Sequence, residues 1–258
     1  MKIITLTEKN IEDEHICCGF SDRKLAQGTR LKKDSIKQRL GDGFKFKKLD
    51  IQGKVFIEYV PAEHAWSPIA APGYMFIHCF WVSGRYKGHG YGTKLLEKCF
   101  ADARSMNGVV ALTTKKTMPF TTDKSFFIKK GFEVCDTAPP YFELLVKKFR
   151  DAPPPKFRDS AKKGTVGNKK GLTFVYSDLC PFTDHWVDRM IEFGRGLGVQ
   201  SQKIKLTTKD EAQNAPSALP IFSIFFRGQF LSHKILAQRE FTKILKAKSE
   251  NPETVGEV

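Results

Sequence analysis

The 258-residue chain lacks most of the features that announce a specialised class of protein. None of its six cysteines (Cys17, Cys18, Cys79, Cys99, Cys135 and Cys180) forms a C-x-x-C pair. That spacing speaks against dithiol chemistry and fits free thiols in a reducing compartment. No apolar run approaches the roughly 20 residues that span a bilayer. The start, Met1-Lys2-Ile3-Ile4-Thr5-Leu6-Thr7, passes at once into charged residues and not into the apolar stretch of a secretory signal. The expectation is a soluble cytoplasmic protein with no membrane partner. There is no internal repeat, no zinc-finger spacing and no regular alternation of basic and aromatic residues. Neither a metal nor nucleic acid is therefore expected.

Acidic residues are also scarce. Asp and Glu number 28 against 43 Lys and Arg, a net charge of +15. Such an excess favours an anionic partner without choosing among a nucleotide cofactor, nucleic acid, an acidic substrate and a membrane surface, and a solvated Lys-rich surface is the plainer alternative. What is plentiful is apolar material: 41% hydrophobic residues, with 22 Phe among them, enough for a folded core.

The sharpest change of composition falls at Asp151-Ala152-Pro153-Pro154-Pro155, followed by a stretch rich in Lys, Gly and Ser. Prolines fix the backbone and cannot donate. This predicts a first domain over 1–150, a linker over 151–170, a second domain over 171–250 and a tail over 251–258. In the first domain, Thr7 to Asn10 reads as a helix start. Residues 44–49 and 54–60 read as strands joined at Gln52-Gly53, and 73–82 as a strand buried on both faces. A helix is predicted over 93–103, a strand over 109–113, a short helix over 123–130 stopped by Gly131, and a strand over 142–146. In the second, strands are predicted at 172–176, 203–206, 221–226 and 230–235, with helices at 181–197 and 239–247.

The most informative element is the turn Arg85-Tyr86-Lys87-Gly88-His89-Gly90-Tyr91-Gly92, between a long apolar strand and an amphipathic helix. Glycines let a ligand approach the backbone, and a helix start offers free N–H groups and a positive dipole end. That combination suits a phosphate or pyrophosphate. The dinucleotide fingerprint requires a different glycine spacing, and the P-loop requires G-K-[ST], which is absent.

The pattern R-x-x-G-x-G resembles the pyrophosphate loop of the GNAT acetyltransferase superfamily. The resemblance implies acetyl-CoA as acyl donor, with backbone amides across Arg85–Gly90 on the pyrophosphate. The end of the strand, Phe80, Trp81 and Val82, would pair with the pantetheine arm. Ser125-Phe126-Phe127-Ile128-Lys129-Lys130-Gly131-Phe132 has the shape of the family's late helix, but Phe127 stands where the family usually has the Tyr that reprotonates the CoA thiolate.

N-acetyl transfer needs a neutral amine and a route for its proton. With regular alternation, Tyr74, Phe76, His78 and Phe80 share a face, which makes His78 the first candidate base and Tyr74 its neighbour. A bulge in this strand would flip that parity. Glu58, Tyr59, Glu63 and His64 form a second tier. His15 with Cys17 and Cys18 could be read as a thiol or metal site, or as buried small residues.

The second domain's order of strand, Cys, helix, strand, Pro, hairpin and helix resembles a thioredoxin- or glutaredoxin-like fold. Tyr176-Ser177-Asp178-Leu179-Cys180-Pro181-Phe182-Thr183 resembles a one-thiol glutaredoxin site, since Thr183 replaces a second Cys. A thiol at a helix start is more reactive. Pro220, in Ala218-Leu219-Pro220, sits where that fold often has a cis-proline. The combination is similar to the YoaP-like acetyltransferases, a likeness that includes Phe80-Trp81-Val82-Ser83-Gly84 and Ala138-Pro139-Pro140-Tyr141-Phe142-Glu143.

The expected architecture is thus α/β (α+β): a GNAT fold followed by a smaller thioredoxin-like domain. Two readings follow. One is an acetyl-CoA-dependent N-acetyltransferase acting on the amine of a small molecule or peptide, its second domain selecting substrate or exerting redox control. The other is a thiol-dependent redox or binding protein using Cys180 beside a degenerate transferase domain. A homodimer stays open.

Overall fold

The computed structural model describes residues 2–16, 19, 22–167 and 169–250. A mixed seven-stranded sheet organises the first part of the chain. Its strands are β1 (Ile3–Thr5), β2 (Lys45–Leu49), β3 (Val55–Pro61), β5 (Tyr74–Val82), β6 (Gly108–Thr114), β7 (Glu133–Ala138) and β8 (Phe142–Lys148), in the order β1-β2-β3-β5-β6-β8-β7. β5 and β6 run parallel, and the other neighbours are antiparallel. Helix α1 (Ala26–Arg39) precedes β2, α2 (Tyr91–Asp102) links β5 to β6, and α3 (Lys124–Ile128) precedes β7. α1 went unread in the sequence because it carries few apolar residues; it buries Gly28, Lys32, Ser35, Ile36 and Arg39.

The two faces of this sheet are covered differently. Leu95, Leu96 and Cys99 of α2 and Phe127 of α3 close one face against Ile57, Tyr59, Ile77 and Phe80. Burying each large apolar side chain contributes about 1.5–3 kcal/mol. On the other face, Phe56, Phe76, Val110 and Leu144 belong to a core that runs on without a break into Phe174, Tyr176, Val187 and Phe222 of the second part.

That second part is a four-stranded sheet, β11-β10-β12-β13, made of β10 (Leu172–Tyr176), β11 (Ser201–Lys205), β12 (Phe222–Phe226) and β13 (Gln229–Ser232). β10 and β11 are parallel; β12 pairs antiparallel with both β10 and β13. Helix α5 (Thr183–Gly196) follows β10, a short α6 (Lys209–Gln213) follows β11, and α7 (Gln238–Glu250) closes the order and packs on α5.

Residues 151–170, read as a linker, carry secondary structure of their own. They form β9 (Lys156–Phe157), paired with β4 (Ile69–Ala70), and α4 (Asp159–Lys163). The physical reason is apolar: Phe157 and Ala161 are buried in the shared core. Thr7 to Asn10 starts no helix. The Asn10 side chain accepts from the Thr7 N–H at 2.8 Å and donates to the Thr5 carbonyl at 3.1 Å, so turns form there instead. Cys17 and Cys18, and with them the thiol or metal reading of that pair, lie outside the described residues. Among the described residues no group of His, Cys, Asp and Glu could hold a metal ion, and no helix is long and apolar enough to cross a membrane.

Candidate active site

β5 and β6 pair only from Tyr74–Gly108 to Ile77–Ala111. Beyond that point β6 continues beside β8 to Thr114, while β5 stays with β3 to Val82. The strands diverge, and among the described residues the edge of β5 carrying Phe80, Trp81 and Val82 has no strand partner on the β6 side, although the Phe80 carbonyl accepts from the Thr122 hydroxyl at 3.2 Å. A ligand with amide groups can bind such an edge as an added strand.

The glycine-rich turn lies at the end of that edge. A short 3₁₀ turn over Gly84–Tyr86 leads to Gly88 (φ 81°) and to Gly90 (φ 74°), the N-cap of α2. A Cβ on Gly88 or Gly90 would meet no atom within 4 Å, so the space above both backbones is open. Gly90 offers no capping side chain, which leaves the first N–H groups of α2 for a ligand. Arg85 lies over the Tyr86 ring at 4.9 Å and donates to its hydroxyl at 2.8 Å. Tyr86 in turn lies against Gly53, where any Cβ would strike the ring. Lys87 and His89 are exposed, and His89 stacks on Tyr91 at 5.7 Å; Gly92 approaches the rings of Phe80 and Phe126.

His78 is an extra residue in β5. Glu58 pairs with Cys79, but Tyr59 pairs with Ile77, so the strand bulges at His78. The expected parity is corrected accordingly. Tyr74, Phe76 and then Cys79 belong to the core shared with the second part, while Phe80 turns to the α2 side. The His78 Nε2 accepts from the Trp66 N–H at 3.3 Å. Burial, aided by the Arg39 and Lys32 charges, holds its pKa well below the usual 6.5. His78 is therefore a neutral imidazole with that nitrogen's lone pair engaged.

His78 and Glu58 share a cavity of about 360 Å³ between the two parts of the molecule. The first part supplies Phe56, Trp66, Phe80, Ala111 and Leu112, so the divergence of β5 and β6 opens into it. The second part supplies Leu179 to Phe182 and Ala218 to Ile221. Glu58 is 1% exposed and accepts from Lys32 Nζ at 2.5 Å. Trp81, 41% exposed, also lines the cavity.

The structure thus brings together Glu58, His78, Phe80, Trp81, Cys180 and Pro220. It does not bring Tyr74, whose hydroxyl donates to the Pro153 carbonyl at 2.9 Å and does not line the cavity. Tyr59 is committed to Asp102 at 2.6 Å and Glu63 to the Gly73 N–H at 2.5 Å, while His64 Nδ1 lies 3.3 Å from Asp42 with no hydrogen bond between them. Lys32, Ser67 and Cys79 were not foreseen. A Lys and an Arg seven residues apart on α1, on the face otherwise holding Gly28 and Ile36, would have been the signal.

Around Cys180, Thr183 donates its hydroxyl to the Cys180 and Ser177 carbonyls, each at 2.8 Å, which anchors the start of α5. The cis peptide among the described residues is Pro139–Pro140 and not Leu219–Pro220. The Leu219 carbonyl is held by the Ser223 hydroxyl at 3.0 Å.

The two parts are tied by polar contacts inside an apolar seam. Gln213 donates to the Glu63 and Ala65 carbonyls at 3.0 and 3.1 Å. Buried His233 donates from Nε2 to the Pro119 carbonyl at 3.0 Å, which leaves Nδ1 to accept from the Tyr141 hydroxyl at 2.8 Å. Burial lowers the His233 pKa to about 4. Gly28 of α1 lies so close to the Pro181 carbonyl that a Cβ would collide with it.

Strand divergence, open glycine turn and helix start thus meet at one end of the sheet. The acetyltransferase (GNAT) family profile matches residues 19–132, and the YoaP-like profile matches residues 202–243. The uncharacterized N-acetyltransferase YoaP of Bacillus subtilis is 42% identical over 248 residues, covering 95% of this chain and 98% of that protein. Solved structures include the PaiA N-acetyltransferase of Thermoplasma acidophilum with coenzyme A (17% identity, TM-score 0.39, 58% of this chain and 100% of that one). Another is a GNAT acetyltransferase of Brucella melitensis with acetyl-CoA (17%, 0.37, 59% and 90%). The chain belongs to the GNAT acetyltransferase family and is an acyltransferase; acetyl-CoA is that family's acyl donor.

Proposed function

We propose that the protein transfers the acetyl group of acetyl-CoA to the amine of a small molecule held in the cavity between its two parts. The observation that carries this reading is the opening of the β5–β6 divergence into a cavity to which both parts contribute. Backbone N–H groups of Gly88 to Gly90 and of the first turn of α2 hold the pyrophosphate, since those of Tyr86 and Lys87 bond to the Ser83 and Gly84 carbonyls. The pantetheine arm lies along Phe80 to Val82, which puts the thioester at the divergence. The unpaired edge of β5 supplies N–H donors for the developing oxyanion. Glu58 receives the acceptor's ammonium and passes its proton outward, with Lys32 fixing the carboxylate. His78 serves as a neutral wall residue. Phe127, packed among Phe80, Phe126 and Phe132, cannot donate a proton, so the departing thiolate is reprotonated by solvent.

In this reading the domain limits are 1–150 and 171–250, joined by the strap over 151–170, in a cytoplasmic protein. The strand order β11-β10-β12-β13 with its flanking helices supports a thioredoxin-like second domain. That domain acts as the acceptor wall. A second reading, redox control of acetylation, is favoured by Cys79 and Cys180 lining one cavity. Thiol titration across pH tests it: a Cys180 thiolate forming only near the ordinary value of about 8.5 removes it.

Calorimetric titration with acetyl-CoA tests the main reading. Saturable binding is expected, weakened at least about 100-fold by Gly88→Val with Gly90→Val, since β-branched residues resist a positive φ and block the approach. Unaltered binding by the variant would remove the loop from the site.

A further inference from the structure

The open edge of β5 already has one occupant. The Ser83 N–H donates to the Lys54 carbonyl at 2.9 Å, so Ser83 faces β3. Backbone groups of alternate residues point to the same edge of a strand, which turns Trp81 towards β3 and Phe80 and Val82 towards the open side. There the Phe80 carbonyl accepts from the Thr122 hydroxyl at 3.2 Å. Thr122 belongs to the segment 115–123 between β6 and α3. The second part of the molecule holds the same segment a few residues earlier. His233 Nε2 donates to the Pro119 carbonyl at 3.0 Å, and the Phe120 ring packs edge-on against Phe182 at 6.5 Å. Between these anchors and Thr122, Phe120 has φ 64°, a strained conformation for a bulky residue. Pro119, Phe120, Thr121 and Thr122 all line the cavity, as does Phe182. One strained segment therefore touches the β5 edge, the cavity and the second part.

We propose that Thr122 competes with the acyl donor for the Phe80 carbonyl, and that the donor's pantetheine amide displaces it, so that arrival of the donor frees the strained segment and reshapes the acceptor cavity. The inference rests on the reading that the pantetheine arm lies along Phe80 to Val82. An amide added to that edge as a strand presents its N–H to an outward carbonyl. A hydroxyl bonded to the Phe80 carbonyl lies on its outward side, inside the roughly 4.8 Å at which an added strand runs. The two therefore exclude each other. Thr122 adjoins Thr121 and Phe120, so its displacement moves wall residues of the cavity. Pro119 stays tied to His233 and serves as the pivot. Thr122 thus sets donor affinity and links the donor edge to the acceptor wall.

The full chain, Thr122→Val and Thr122→Ser are each titrated by calorimetry with acetyl-CoA and with 3′-phospho-ADP, which carries the pyrophosphate but no pantetheine arm. Val keeps the shape of Thr and removes the hydroxyl. Thr122→Val should therefore bind acetyl-CoA about 2- to 10-fold tighter, the worth of one hydrogen bond that no longer has to be broken. Thr122→Ser keeps the hydroxyl and should match the native chain. 3′-Phospho-ADP should bind all three alike. Hydrogen exchange gives a second readout on the native chain: acetyl-CoA should alter the rates of the amides of residues 120–122, and 3′-phospho-ADP should leave them as they are. Unchanged or weaker acetyl-CoA binding by Thr122→Val, an equal gain for 3′-phospho-ADP, or exchange at 120–122 that ignores acetyl-CoA would overturn the proposal. Each of these outcomes leaves the transferase reading standing. That reading falls, and this proposal with it, only if the native chain binds no acetyl-CoA.

Discussion

The two faces of the seven-stranded sheet share strands yet differ in kind. Towards α2 and α3 the contacts are mostly apolar, with Asp102 of α2 held at the margin by Tyr59, Lys45 and Lys47. Towards the second part, Glu58 and His78 of the strands and Lys32 and Arg39 of α1 place polar side chains in or beside the shared core. The first face contributes stability mainly through burial. The second pays desolvation for four polar side chains, and such an outlay is characteristic of sites where chemistry or recognition needs them. The difference teaches that the second part is a lid over polar machinery that the first part leaves uncovered.

The largest way to break this contrast is at the ion pair. Glu58→Gln is expected to lower turnover by about 10²–10⁴-fold, the usual worth of a proton-transfer group. It should also destabilise the fold by up to about 3–5 kcal/mol, because one member of a buried ion pair is removed. Lys32→Met with Glu58→Met should restore the melting temperature and leave turnover low. Recovery of both would reduce the pair to scaffolding.

The seam between the parts should be acid-sensitive. The folded-state pKa of His233, about 4, lies below its unfolded value near 6.5. Its contribution is therefore complete above about pH 6.5, falls as the pH drops towards 4, and levels off below, for a total of roughly 3 kcal/mol. His15 and His78 are shifted the same way and add to the slope. His233→Phe with Tyr141→Phe should flatten that acid limb in thermal melts; an unchanged slope would assign it elsewhere.

A smaller effect sharpens the role of the lid. Gly28→Ala places a Cβ against the Pro181 carbonyl. A cost of about 1–3 kcal/mol is expected from such crowding. The KM for the amine should rise while the acetyl-CoA Kd holds, because the glycine turn lies on the first part alone. The smallest effect belongs to His78→Gln, whose amide can still accept from the Trp66 N–H. Activity within about threefold and an unmoved acid limb in kcat/KM are expected. A shifted limb would return His78 to the mechanism as base.

Much of this architecture was readable in the chain. The apolar run 74–82, the glycine spacing at 88–92 and the periodicity of 93–103 each reflect local physics: burial on two faces, positive φ, and a 3.6-residue repeat. The candidate base was less readable. One extra residue at His78 reverses the facing of everything after it in β5, and no periodicity signals a bulge. α1 escaped notice because its buried face holds Gly28, Lys32, Ser35 and Arg39, residues a hydrophobic pattern reads as exposed. The strap over 151–170 was read by its prolines and lysines, although Phe157 and Ala161 are what dock it.

By itself, then, the sequence determined the elements whose stability is local and the loop whose chemistry is backbone geometry, since glycine spacing and strand alternation are properties of neighbouring residues. Only the tertiary structure decided which polar groups meet. Lys32 and Glu58 are 26 residues apart, and Trp66 and Leu219 more than 150, yet all four line one cavity. Their approach depends on how two sheets pack through a shared core, and no short stretch of chain encodes that distance.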